Sequence, residues 1–218
     1  MKTDQLTQGS PAWLQARCGK ITASKLADVM TQPRSKADKE AGKLSQIARS
    51  YMLDLVAETL TGQPVEIPTT RSMQWGIDNE LPAREIYETL TDTEVREVGF
   101  LKYEKEPMVG CSPDGLIGDD GGLEIKCPFN SRVHIGYLID GVLPAEYRWQ
   151  VIGSMWITGR KWWDFVSYDP RMPDLQTSLF RVRVHRGEVG SDIALLESSV
   201  MNFRGHYIGA ICKLKGGA

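Results

Sequence analysis

Several features that decide function in other chains are scarce in this sequence. Its four cysteines, Cys18, Cys111, Cys127 and Cys212, are scattered with no Cys-x-x-Cys pair, which supports neither a structural zinc site nor an iron–sulfur cluster. His134, His185 and His206 stand far apart in no ligand spacing, and no strained nucleophile elbow accompanies them, so covalent catalysis has no support. No apolar run approaches the length that spans a bilayer, and Met1-Lys2-Thr3-Asp4-Gln5 has none after its lysine. A soluble, cytoplasmic protein without membrane partners is expected. Positive charge is not in excess either: 26 Lys and Arg meet 28 Asp and Glu, a formal net charge of -2. That argues against a protein that coats nucleic acid, so any DNA site must be a local basic surface around an acidic centre. Internal repeats and low-complexity segments are missing as well.

What is present is an ordinary globular balance of apolar and charged residues over 218 positions, enough for a single domain over 1–218 with its own core. Patterning predicts an α/β (α+β) fold with helices at the N-terminus and one at the C-terminus. Trp13–Arg17 reads as a short helix, and Ile21–Met30 as a second with Thr22 or Ser24 at its start. Hydroxyls at a helix start with Arg17 nearby suit a phosphate; a capped helix and a solvated arginine explain the same residues. Thr31 to Gly42 reads as a polar loop. Leu44, Ile47, Ala48, Tyr51, Met52, Leu55 and Val56 recur at helical spacing, with Gly62 as the cap.

Met73 to Glu80 leads into a helix with Ala83, Ile86, Tyr87 and Leu90 as its buried stripe. Pro82 fits a first turn, which makes Asn79 the expected cap; Glu80 then either complements the helix dipole or serves as a metal ligand. Val95–Tyr103, Met108–Ile117, Leu123–Cys127, Trp162–Tyr168 and Leu179–Val184 read as strands. Arg132 follows the third of these, near the active end of the sheet. Pro144–Ile157 is helical, with Tyr147 and Gln150 on one face, and a last helix runs from Ser191 to Lys213.

The chemistry concentrates between Cys111 and Cys127. Gly118 to Gly122 has the composition of a hairpin loop, which sets Asp114 across from Glu124. Beyond the turn, Leu123, Ile125 and Cys127 alternate with Glu124 and Lys126, so both charges share one face. Two carboxylates that close repel each other unless a cation lies between them, and oxygen ligands favour Mg²⁺ or Mn²⁺. The Ile125 carbonyl is a natural further ligand, and Lys126 would hold a water or meet developing negative charge. A Pro-Asp…Glu-x-Lys arrangement of this kind suits phosphodiester cleavage. A surface hairpin with an ion pair is the plainer reading of the same residues.

Taken together, Trp13, Arg17-x-Gly19, Ile21-Thr22-Ala23-Ser24, Trp75-Gly76…Glu80, Cys111 to Leu116, Gly122 to Phe129, Ser131-Arg132, Gln150, Ser154-Met155-Trp156 and Tyr168-Asp169-Pro170-Arg171-Met172 resemble the bacteriophage lambda exonuclease family. The resemblance implies a restriction-endonuclease-like core, a central mixed β-sheet flanked by helices. It implies a processive nuclease that digests one strand of linear double-stranded DNA from a 5′-phosphorylated end, releases mononucleotides and leaves a 3′ single strand for recombination. It further implies a ring-shaped homotrimer and a single-strand annealing partner. By position, Asp114, Glu124, the Ile125 carbonyl and Glu80 would bind two Mg²⁺ ions (or Mn²⁺), Lys126 would activate the water, and Gln150 and Tyr147 would lie beside the site. Arg17, Ser24, Ser112 and Arg132 would hold the 5′-phosphate, Arg34 would reach the minor groove, and Met73 would wedge the terminal base pairs. An endonuclease or junction resolvase on the same core, and a non-catalytic DNA-end-binding module, are the alternatives.

Overall fold

Helix starts in this chain are set by short polar side chains standing one residue ahead. Ser10, Ser35, Ser45, Thr70, Asn130 and Asp174 each accept a hydrogen bond from an early amide of the helix that follows. In the computed structural model of the protein, which describes residues 3–65 and 68–216, these caps open α1 (Pro11–Arg17), α3 (Lys36–Glu40), α4 (Gln46–Thr61), α5 (Arg71–Thr91), α6 (Ser131–Asp140) and α8 (Leu175–Ser178). Three further helices, α2 (Leu26–Val29), α7 (Arg148–Thr158) and α9 (Gly190–Leu214), start without a side-chain cap. Left-handed Gly62, Gly141 and Gly159 close α4, α6 and α7.

Among the described residues eight strands form two sheets. The smaller has the order β1 (Ile21–Thr22), β4 (Glu106–Cys111), β3 (Leu101–Tyr103); the larger runs β2 (Val95–Arg96), β5 (Gly115–Ile117), β6 (Gly121–Lys126), β7 (Trp162–Tyr168), β8 (Leu179–His185). Each mixes pairings: β1 lies parallel to β4 and β6 parallel to β7, and the remaining neighbours are antiparallel. One face of the larger sheet packs against α5, burying Ala83 and Tyr87 with Leu123, Ile125 and Val166. The other face meets the main core, to which α4, α7 and α9 give Leu55, Ile152, Met155 and Phe203. Period two along β6 therefore separates Leu123 and Ile125 from Glu124 and Lys126, as the sequence predicts. Gly121 and Gly122 are required by packing, since a Cβ on either would fall 2.1 or 2.3 Å from the rings of Trp162 and Trp163.

The structure corrects several boundaries. The expected strand Met108–Ile117 is two, β4 and β5, which belong to different sheets; Pro113, with no N–H to give a ladder, lies in the crossing segment. Val95–Tyr103 likewise divides into β2 and β3. The core thus holds two mixed sheets where one was expected. Ile21–Met30 opens as a strand and a single helical turn before α2, and the polar loop Thr31–Gly42 contains α3. Asn79 is not a cap: α5 starts at Arg71 and runs through Pro82, while the Asn79 side chain donates to the Trp75 carbonyl at 2.8 Å. Gln63 to Thr70, which its proline content makes a connector in the sequence, includes positions 66 and 67, which lie outside the described residues.

Candidate active site

Asp114 stands immediately before β5, and the β5–β6 register, Gly115 opposite Leu123, extends to set it across from Glu124. Its Oδ2 accepts the Ile125 amide at 2.6 Å, which fixes the carboxylate against β6. Glu124 is almost fully buried, 1% exposed. Its Oε1 accepts from Lys126 Nζ at 2.5 Å and from Gln150 Nε2 of α7, while its Oε2 is buried with no partner. The Lys126 ammonium lies 5.3 Å from the centroid of the Tyr147 ring, itself stacked on Phe165 at 5.2 Å. Met73 and Glu80 of α5, Asp114, Ile125, Lys126 and Tyr147 line a cleft of about 420 Å³. Six expected residues thus meet in one cavity, with Glu124 and Gln150 beneath it.

The charges in this cluster do not balance. Burial pushes the Glu124 carboxyl up to about 8; Lys126 pulls it back, and Asp114 and Glu80 push it further. Glu80 is pushed up to about 7 by burial and by Asp114, against Arg84 and Lys126. Asp114 is raised by burial in spite of Lys126 and the Ile125 N–H. Lys126 would be lowered by burial alone, but Glu124 and Asp114 raise it and hold it protonated. Lys126 and Arg84, the latter shared with Glu97, do not neutralise three carboxylates, and the Glu124 Oε2, buried without a partner, is a hard donor. Among the described residues no three His, Cys, Asp or Glu side chains converge closely enough to cage an ion unaided. Mg²⁺ asks for less, since it keeps several waters and takes one or two carboxylates, so the donor set fits it.

Around Ser112, the segment that crosses between the sheets meets α1. Ser112 Oγ accepts from Trp13 Nε1 at 3.0 Å and from Arg17 Nη1 at 2.9 Å, and the Arg17 guanidinium lies 4.2 Å over the Trp13 ring. Ser24 is exposed and bonds Thr22 Oγ1 at 3.3 Å. The parallel pairing of β1 with β4 ends at Thr22 beside Gly110, and Ser24 and Ser112 both follow that end of the small sheet. Arg132 is exposed in the first turn of α6, and no hydrogen bond or ion pair among the described residues joins it to Arg17 or Ser112. Arg34 is exposed just before α3.

Sequence reasoning missed Arg84. It is buried, donates to Glu80 Oε1 at 2.8 Å and pairs with Glu97, so it holds the Glu80 carboxylate at the cleft. The i, i+4 spacing of Glu80 and Arg84 on α5 was the available signal. Cys127 also lines the cleft, where burial pushes its thiol up to about 12 and removes its nucleophilicity.

Residues 12–161 match the family model of the YqaJ-like viral recombinase domain. Among solved structures the chain is similar to the alkaline exonuclease LHK-Exo from Laribacter hongkongensis, with 38% identity and a TM-score of 0.83 over 94% of this chain and 96% of that one. The same values hold for LHK-Exo in complex with dAMP. A phage related exonuclease from Haemophilus somnus 129PT shares the fold at 17% identity and a TM-score of 0.67, over 89% of this chain and 96% of that chain. No curated protein sequence matches.

Proposed function

The chain belongs to the YqaJ-like viral recombinase family, and from that premise we propose that it is a nuclease that digests one strand of linear double-stranded DNA from a 5′-phosphorylated end. In this reading it works processively from 5′ to 3′, releases mononucleotides and leaves a 3′ single strand for recombination by annealing. The observation that carries the proposal is the cleft in which Asp114, Lys126, Glu80, Met73 and Tyr147 meet above a buried Glu124 with one free oxygen. The similarity to an alkaline exonuclease also crystallised with dAMP, a nucleoside monophosphate of the kind such cleavage releases, supports the same reading.

Asp114, Glu124, Glu80 and the Ile125 carbonyl are the groups that would hold Mg²⁺, or Mn²⁺, as two ions. Bound there, a divalent cation lowers the pKa of a water and neutralises charge on a phosphoryl oxygen. Lys126, kept protonated by its two carboxylate neighbours, orients the water and meets the negative charge that develops on the phosphate. Gln150 fixes Glu124 by filling the second acceptor position of Oε1. Arg17 with Ser112 and Ser24, joined by Arg132, holds the terminal phosphate, and Met73 at the cleft mouth parts the last base pair. Arg34 follows the minor groove. A homotrimeric ring would keep the protein on its duplex without a large positive charge, and a single-strand annealing protein would receive the product. The same reading puts the protein in the cytoplasm of the bacterial host cell of a phage or prophage.

End-labelled linear duplexes with a 5′-phosphate or a 5′-hydroxyl, beside a sealed circle, test the proposal with and without chelator. Mononucleotides from the phosphorylated end, abolished by chelator, are the expected result. Cutting of the circle would replace the exonuclease with an endonuclease or resolvase, and binding of ends without any product would leave a non-catalytic module.

A further inference from the structure

The stretch Tyr168-Asp169-Pro170-Arg171-Met172 carries part of the family resemblance yet has no part in the reaction above. Its arginine is nevertheless held on every side. Arg171 Nε and Nη2 donate to the two oxygens of Asp169, which is 0% exposed, at 2.7 and 2.9 Å. Nη1 reaches the Phe129 carbonyl at 3.1 Å and Nη2 the Pro128 carbonyl at 3.3 Å, so the guanidinium ties the end of β7 to the segment that leaves β6 just after Lys126. Its remaining face lies 4.4 Å over the ring of Trp75 on α5, and Phe129 meets the same ring edge-on at 6.0 Å.

Trp75 belongs to the half of α5 that forms one wall of the cleft. Ala83, Arg84 and Tyr87 are the buried residues of this helix; none of 71–82 is buried, although Met73 and Glu80 are among them. Among the described residues, the side-chain hydrogen bonds of residues 71–82 end within the helix or on its cap, Thr70. Pro82 lies at the junction of the two halves, where its missing N–H leaves the Asp78 carbonyl without its ladder partner. Among the described residues, Trp75 is the side chain of this half that meets aromatic and cationic groups beyond the helix, Phe129 and Arg171, and its indole N–H is buried there without a partner.

We infer that Arg171 is a positioning residue: through Trp75 it latches the projecting half of α5 to the wall that carries Lys126, and so sets the width of the cleft that a DNA end enters. The inference rests on the nuclease reading above. A cation over an indole is worth little at an exposed site, but this one is oriented by four hydrogen bonds before it meets the ring.

Steady-state cleavage of an end-labelled blunt duplex by Arg171→Lys, Trp75→Leu and the double variant tests it. Each single change is expected to raise KM for duplex ends about tenfold with kcat kept within about twofold, because the outer turns that carry Met73 shift while Glu80, held by Arg84, and the reacting groups of β5 and β6 do not. The double variant should be no worse than the poorer single one, since both remove the same contact. Guanidinium ion, but not ammonium, should restore KM in Arg171→Gly. Additive losses, or a lowered melting temperature with KM unchanged, would reduce Arg171 to a stabilising contact and overturn the inference. An inactive wild-type protein would instead remove the nuclease reading.

Discussion

At the scale of single residues, Lys126 is the most demanding test of the site, because its charge is maintained by the two carboxylates beside it. Lys126→Met should lower the rate of nucleotide release by about 100-fold or more, the usual cost of losing one preorganised charge donor, and should also lower the melting temperature, because Glu124 is left buried without its cation. Activity at the wild-type level, measured on an end-labelled duplex, would remove the assigned role. The carboxyls make a prediction of their own. Glu124 rises from an ordinary 4.5 to about 8 and Glu80 to about 7. The folded protein then binds more protons than the unfolded chain across that interval, and stability present at its acid end is lost as pH rises through it. A divalent cation opposes the loss, so Mg²⁺ should raise the melting temperature more at about pH 8.5 than at about pH 5.5. Equal shifts at both would count against a cation among these groups. Asp114, Glu124 and Lys126 were legible in the sequence because a turn and a period of two suffice to place them. Arg171 and Trp75 were not, since nothing local says that residues almost a hundred positions apart will stack.

At the scale of elements, the hairpin β5–β6 is the part whose geometry the site can least afford to lose. Arg160 Nη1 donates to the carbonyls of Ile117, Gly118 and Gly121 and so fastens its closed end. Gly122→Ala would press a methyl into the Trp163 ring and should cost about 3 kcal/mol in urea unfolding, with activity falling as the hairpin shifts. A neutral result would mean that the ring has room to move. The sequence predicted this hairpin and the strand after it correctly, yet joined β4 to β5. Alternation of apolar residues reports that a face is buried, not which sheet buries it, and only Pro113 hinted at the break. Pro82 misled in the opposite direction: a proline normal for a first turn lies deep in α5, where α5 packs on the larger sheet and the rest of the helix offsets its cost.

At the scale of the whole molecule, the mixed α/β fold was readable from the order of elements, and the restriction-endonuclease-like core is what the chain shares with LHK-Exo. The division into two sheets was not readable, because it depends on where Val98 to Phe100 and Ser112 to Asp114 cross between them. With a formal net charge of -2, the proposed reading puts affinity for DNA on a few cations, Arg17, Arg34 and Arg132 foremost. Duplex binding measured in Ca²⁺ against salt should therefore give a logarithmic slope of about −3, and a much steeper one would reveal a broader basic surface. One of the crossings bears on product size. Ser112, bonded to Arg17, and Asp114, bonded to the Ile125 amide, are separated only by the stiff ring of Pro113. On the proposed reading, the place where a strand is gripped and the place where it is severed would belong to one inextensible tripeptide, at most about 7 Å along the backbone. Such a segment would then act as a ruler matched to one nucleotide, and the expected outcome is a fragment length that stays uniform from the first cut to the last.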